Sequence, residues 1–159
     1  HILLCTHGSQ GAQNAEKLVF SNLLEKNPEL KVTVLTIIDK DWAGMSQDDW
    51  LNTSKARTMF KDYVEEQLGS EIDQDWERIT SAYPKSAKCK YTRVVGDIEE
   101  TMVEVANAVK ADGIIIGPTQ KRKSRLFSVK MTPGLANTIN SKKLQQLISC
   151  PLIIAPETT

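Results

Sequence analysis

The chain has two histidines, and only His7 is internal, set in Thr6-His7-Gly8-Ser9. Imidazole is the one side chain whose ordinary titration falls near neutrality, so His7 is the first residue to weigh as a base or a metal ligand. Metal sites need several good donors, and no second internal histidine supplies one. A Ser-His-Asp or Cys-His arrangement would also have to use His7, and no GxSxG nucleophile elbow accompanies it. A phosphohistidine step calls for further histidine and arginine partners. His7 therefore reads first as a turn histidine beside a ligand pocket. The second chemical feature is Lys121-Arg122-Lys123-Ser124-Arg125, with four cations in five residues. Such a run can grip phosphate through charge-assisted hydrogen bonds, and it equally fits a solvated surface. The third is Gly8-Ser9-Gln10-Gly11, a turn at a helix start where backbone N–H groups could face an anion. It matches neither the P-loop nor the GxGxxG fingerprint and reads first as a turn and cap. Asp39, Asp97 and Asp112 are carboxylates available for metal-assisted hydrolysis, but their spacing does not select it.

Composition narrows the classes. Lys plus Arg is 20 and Asp plus Glu is 20, giving a net charge of zero. A general nucleic-acid binder needs a basic surplus, so no nucleic-acid partner is expected. Apolar residues make up 40% and charged residues 25% of 159, an ordinary composition for one domain spanning 1–159. Cys5, Cys89 and Cys150 are odd in number and lack CxxC spacing, so they read as reduced, buried thiols in a cytoplasmic protein. No apolar run approaches membrane-spanning length and no signal peptide is visible, so no direct membrane partner is expected. The chain begins at His1 without Met, which leaves open a place within a longer protein.

The elements that must position these residues follow in order. Ile2-Leu3-Leu4-Cys5 is a short apolar run that reads as the first strand, and Ser9 can cap the helix after it. Ala12, Ala15, Leu18, Val19, Asn22 and Leu23 share one helical face, and Asn27-Pro28 stops the helix. Lys31 to Ile38 is β-branched and forms strand two. Asp39 to Asp49 is a polar loop. Ala56, Met59, Phe60, Tyr63, Val64, Leu68, Ile72, Trp76 and Ile79 then make the stripe of a long sheet-packing helix, with Gly69 a point for a kink or a break. Cys89 to Val95 is strand three. Asp97 is an N-cap with Glu99 and Glu100 in the first turn. Asp112-Gly113-Ile114-Ile115-Ile116-Gly117 carries strand four, a helix runs from about Asn140 to Ile148, and Pro151 to Ala155 is the last strand. The order predicts an α/β fold: a single-domain, doubly wound, five-stranded parallel sheet with helices on both faces. Ligands in such sheets bind outside the carboxyl ends of strands, which is where His7 and the basic run fall.

ILLCTHGS, VTVLTIID, VVGD, ADGIIIGP and SCPLIIAP, in this order, resemble the universal stress protein family over nearly the whole chain. The resemblance implies the family's five-stranded sheet, related to adenine-nucleotide alpha-hydrolases, a role in stress response, and a homodimer through the last strand. It also implies nucleotide binding. In nucleotide-binding members an Asp stands in the turn after strand one, where this chain has His7. They also carry Gly-x2-Gly-x9-Gly-Ser/Thr after strand four. Gly117 fits the first glycine, Gln120 replaces the second, and Lys130-Met131 stand where Gly-Ser/Thr would be, with Gly134 or Asn137-Thr138 as substitutes after an insertion. A side chain in place of a glycine blocks close backbone approach to phosphate. These departures weigh against ATP held in the family's usual manner and toward side-chain contacts from the basic run.

The leading expectation is a regulatory, non-enzymatic module for ATP, ADP, AMP or another phosphate-bearing or small anionic ligand. Thr6, His7, Ile37, Gly117, Lys121 and Arg122 would line its site. Two alternatives stand beside it: an accessory domain of a larger protein such as a transporter, and a His7-centred enzyme, either a slow nucleotide hydrolase or a chelatase. The latter follows a second, N-terminal resemblance of strand-His7-Gly8-Ser9-helix to cobalt and sirohydrochlorin chelatases, which pair that histidine with another.

Overall fold

The computed structural model describes residues 1–7, 9–39, 54–118 and 139–157. Its strands are β1 (Ile2–Cys5), β2 (Val32–Asp39), β3 (Lys90–Gly96), β4 (Gly113–Ile116) and β5 (Leu152–Ile154). Its α-helices are α1 (Gln10–Lys17), α2 (Leu24–Lys26), α3 (Ser54–Ala82), α4 (Ile98–Val109) and α5 (Ser141–Leu147). All strand pairs are parallel, in the order β3-β2-β1-β4-β5. This is the expected doubly wound sheet.

The non-alternating apolar runs explain the central position of β1 and β4. A strand covered by helices on both faces has no solvent side to make polar. Leu4 and Ile115 point into a core with Ala15, Val19, Phe20 and Leu24, and with Ile79 of α3. Leu3, Cys5, Ile114 and Ile116 point the other way, toward Met102 and Ala106 of α4 and Leu144 of α5. All four residues of β4 are buried. Burying each isoleucine is worth roughly 1.5–3 kcal/mol, which anchors β4 firmly between the two helix layers.

Three local features depart from the expected pattern. The helix after β1 does not keep one period. Leu18–Leu23 is π-helical, closed by the Leu24 N–H bonding to the carbonyl of Val19. The wider turn brings Phe20 to the sheet and leaves Asn22 exposed. Phe20 then meets Tyr83, ring centroids 5.4 Å apart. Second, α3 runs unbroken through Gly69. The missing side chain lets Arg93 of β3 come close and donate to the Gly69 carbonyl at 3.3 Å. Leu68, Ile72 and Ile79 of the expected stripe are buried, and Trp76 stacks on Tyr91 at 4.6 Å. The side chains of Ala56, Met59, Phe60, Tyr63 and Val64 lie outside the described set. Third, of the three free cysteines only Cys5 is buried; Cys89 and Cys150 are half-buried, because they sit at the edges of β3 and β5.

Helix α4 ends on Lys110 at φ 53°, ψ 55°, a left-handed conformation that a side chain resists. The Ala111 N–H bonds back to Ala106 at 2.9 Å, which holds the turn. Lys110→Gly should therefore stabilise the fold by about 0.5–1 kcal/mol, seen as a higher urea midpoint at unchanged slope.

Candidate functional site

The chain goes outward from β1 to β2 to β3 on one side, then returns to β4 and β5 on the other. The direction reverses between β1 and β4, and the crevice outside their carboxyl ends is the general ligand position of such sheets. In the β1–β4 register Leu4 sits opposite Ile115, so continuing it brings Thr6 level with Gly117. In the β1–β2 register Cys5 sits opposite Leu35, which brings His7 level with Ile37. Thr6, His7, Ile37 and Gly117 thus share one rim. Lys121 and Arg122 lie outside the described residues.

The four described residues serve the rim differently. The Thr6 N–H extends the ladder to the Leu35 carbonyl at 3.0 Å. Its side chain is buried and its hydroxyl donates to Glu16 Oε1 at 2.5 Å. Ile37 packs into the core on the α4 side. His7 is half-buried. Burial pushes its imidazole below the usual range, opposed by a hydrogen bond to its own backbone and by the Asp75 carboxylate. Ser9 caps α1 as expected, accepting from the Ala12 N–H at 3.2 Å. Gly117 and Pro118 lie directly against the first turn of α1. A Cβ on Gly117 would collide with the Gly11 carbonyl and the Ala12 nitrogen, and one on Gly11 would meet the Pro118 carbonyl oxygen at 2.6 Å. Backbone contact at both positions requires glycine on steric grounds.

Beneath this rim is a charged network that sequence reasoning missed. Glu16 of α1 is fully buried. It accepts from Thr6 on one oxygen, and from Arg78 Nη2 at 2.7 Å on the other. Arg78 Nε also donates to Asp75 Oδ1 at 2.7 Å. Burial pushes the Glu16 carboxyl above the usual range, while the bonds from Thr6 and Arg78 pull it down. The available signal was Glu16 falling four residues after Ala12 and three before Val19, on the buried face. Asp75 and Arg78 look like an ordinary surface i,i+3 pair, and only the tertiary contact separates them from one.

Cys5 is a poor nucleophile, since burial pushes its thiol up to about 12. Among the described residues no group of three or more His, Cys, Asp or Glu is placed to hold a metal ion, and no helix is long and apolar enough to cross a membrane.

A model of the universal stress protein family matches residues 1–139. The chain belongs to that family. Among solved structures, the hypothetical protein MJ0577, subject of a structure-based assignment of biochemical function, is similar at TM-score 0.69 and 20% identity, covering 99% of this chain and 96% of that one. The universal stress protein UspA from Lactobacillus plantarum is similar at TM-score 0.61 and 16% identity, covering 98% and 96%. A universal stress protein family protein from Arabidopsis thaliana, with AMP bound, is similar at TM-score 0.52 and 13% identity, covering 99% and 92%. No protein of curated function matches the chain in sequence. Within this universal stress protein fold, Gly117 lies at the exit of β4 and His7 follows β1. Gln120 and Lys130-Met131 lie outside the described residues.

Proposed function

We propose that this universal stress protein family member is a non-enzymatic regulatory module that binds an adenine nucleotide or another small phosphate-bearing anion at the β1–β4 crevice. The observation that carries the reading is the close backbone approach of Gly117-Pro118 to the first turn of α1, at the point where the sheet reverses direction. The AMP bound to the Arabidopsis thaliana relative of like fold supports the choice of ligand class. Thr6 contributes through its backbone and by holding the turn, His7 and Gly117 line the opening, and Ile37 backs it from β2. Lys121 and Arg122 supply phosphate contacts in place of the amides that a complete glycine motif would offer. The module works in the cytoplasm.

Thermal melting with AMP, ADP, ATP, cyclic dinucleotides and inorganic phosphate tests this. A ligand present at about 100 times its Kd stabilises by roughly 2.7 kcal/mol. At least one adenine nucleotide should raise the melting temperature, and Lys121→Ala/Arg122→Ala should reduce that rise. Unchanged melting with every compound would refute the reading.

The proposed assembly is a homodimer through the last strand, Pro151–Ala155. Strand β5 is a sheet edge whose Ile153 and Ile154 are 40% and 45% exposed. Unpaired edges carrying apolar side chains favour pairing with another strand. Ile154→Asp should convert the species seen by sedimentation velocity to monomer, whereas a monomeric parent protein would dismiss the dimer.

A further inference from the structure

The exposed apolar side chains gather at one edge of the sheet. Among the described residues the large exposed hydrophobics are Val95, Leu147, Ile153 and Ile154, and three of the four belong to α5 and β5. Strand β5 is a sheet edge, and its bonds to β4 fix which of its backbone groups are left over. The Ile114 N–H bonds to the Pro151 carbonyl at 2.9 Å, and the Ala155 N–H to the Ile116 carbonyl at 2.9 Å. Pro151 and Ala155 therefore turn their bonding groups toward β4. Ile153 between them does the same, and the N–H and C=O groups of Leu152 and Ile154 face outward. Proline, which has no N–H, stands on each side of the strand, as Pro151 and Pro156. The segment between them holds no charge. The opposite edge, β3, carries the exposed cations Lys90 and Arg93, and charged side chains on an edge oppose pairing.

We propose that β5 pairs antiparallel with β5 of a second copy in a single register, with the two-fold axis passing between the two Ile153 residues. The inference rests on the homodimer proposed above and specifies how it is built. The neighbouring registers fail. Placing Leu152 opposite the second copy's Leu152 sets Ile154 against Cys150, which lies in the bend before the strand. Placing Ile154 opposite Ile154 sets the Leu152 carbonyl against Pro156, which has no N–H to give. Leu152 opposite Ile154 pairs every outward N–H and C=O of the strand with a strand residue, each pair exchanging both bonds. Ile153 then faces Ile153 across a non-hydrogen-bonded pair, with Cα atoms about 4.5 Å apart, and the two exposed side chains cover each other. A pattern that matches itself under a two-fold axis is what an isologous contact requires, and it selects a second copy over an unrelated strand. Antiparallel pairing points the carboxyl ends of the two sheets in opposite directions, so each β1–β4 crevice is built from one copy alone.

Cysteine cross-linking in the full chain tests the register, and sedimentation velocity of the parent protein tests the dimer separately. Ile153→Cys should form a disulfide-linked dimer with oxidised glutathione, joined through position 153 of both chains, because a non-hydrogen-bonded pair lies within disulfide reach. Mass spectrometry of the linked peptide separates it from links through Cys89 or Cys150. Ile154→Cys should not link to itself, since the two copies of that position are diagonal neighbours about 7–8 Å apart, beyond the same reach. Mixed Leu152→Cys and Ile154→Cys chains should link only to each other, which gives the answer again if Ile153→Cys does not fold. A parent dimer in which Ile154→Cys links to itself and Ile153→Cys does not would overturn the register and keep the homodimer. A parent dimer in which none of these links forms would place the interface away from β5 and overturn the proposal. A monomeric parent protein would remove both the register and the dimer.

Discussion

Gly117→Ala should cost the fold roughly 2–3 kcal/mol, toward the upper end of what an inserted methyl costs in a well-packed interior. The reason is the identity of the neighbours. A Cβ at Gly117 meets the carbonyl of Gly11 and the nitrogen of Ala12, both backbone atoms of the first turn of α1. Side chains can change rotamer, but a helix terminus held by the Ser9 cap cannot give way without losing its bonds. Gly113, at the other end of β4, is the control. A Cβ there would find the Pro151 carbonyl at 3.5 Å and Ile2 Cδ1 at 3.6 Å, ordinary contact distances. Gly113→Ala should therefore lie within about 1 kcal/mol of the parent protein. Urea denaturation of the two variants decides the matter, and equal losses would mean that the β4–α1 contact is not what requires glycine. The same substitution should also weaken any nucleotide-dependent thermal shift, because it displaces the rim from the α1 terminus.

The second large effect is expected at Arg78. Removing one partner of a buried ion pair costs roughly 3–5 kcal/mol; Arg78 is 37% exposed, so solvent screening reduces the expected loss for Arg78→Met to about 2–3 kcal/mol at neutral pH. The loss depends on pH, and the sign follows from Glu16. Its carboxyl is raised in the folded protein, chiefly by burial. The native state therefore holds the proton more tightly than the unfolded chain does. That contribution favours folding below the unfolded titration and is lost as pH rises through the folded one. Arg78→Met removes a cation and a hydrogen bond that favour the carboxylate, and so raises the carboxyl further. The gap between variant and parent should be small near pH 4 and widen toward neutrality. Glu16→Gln in the Arg78→Met background should recover most of it, since the amide still meets the Thr6 hydroxyl and carries no charge. Urea midpoints compared at about pH 4 and about pH 7.5 check this. A loss independent of pH would show that Arg78 acts by packing its stem and not by neutralising Glu16.

These two positions mark different degrees of legibility. Gly117 was visible as the residue ending a run of three isoleucines, and the family pattern gave it a role. What could not be read was its neighbour: Gly11 is over a hundred residues away in the chain. The Glu16 network was hidden for a related reason. A carboxylate on an apolar helix face signals that something unusual is buried, but its partners Thr6 and Arg78 come from the segment just after β1, ten residues earlier, and a helix 62 residues later. The π-helical turn at Leu18–Leu23 was illegible too, because the residues that reward it, Tyr83 among them, belong to another element.

By itself the sequence determined the doubly wound sheet, the buried character of β4, the cap at Ser9 and the family. Each of these follows from local periodicity or from side chains that have to leave water, and both are written along a contiguous stretch. The tertiary structure alone decided that Gly117 touches Gly11, that Thr6 turns its hydroxyl inward, and that an Asp and an Arg of α3 close a buried network under His7. Those are pairings across the crossovers of the sheet. Which distant groups meet there depends on strand order and helix placement, and no local pattern encodes either.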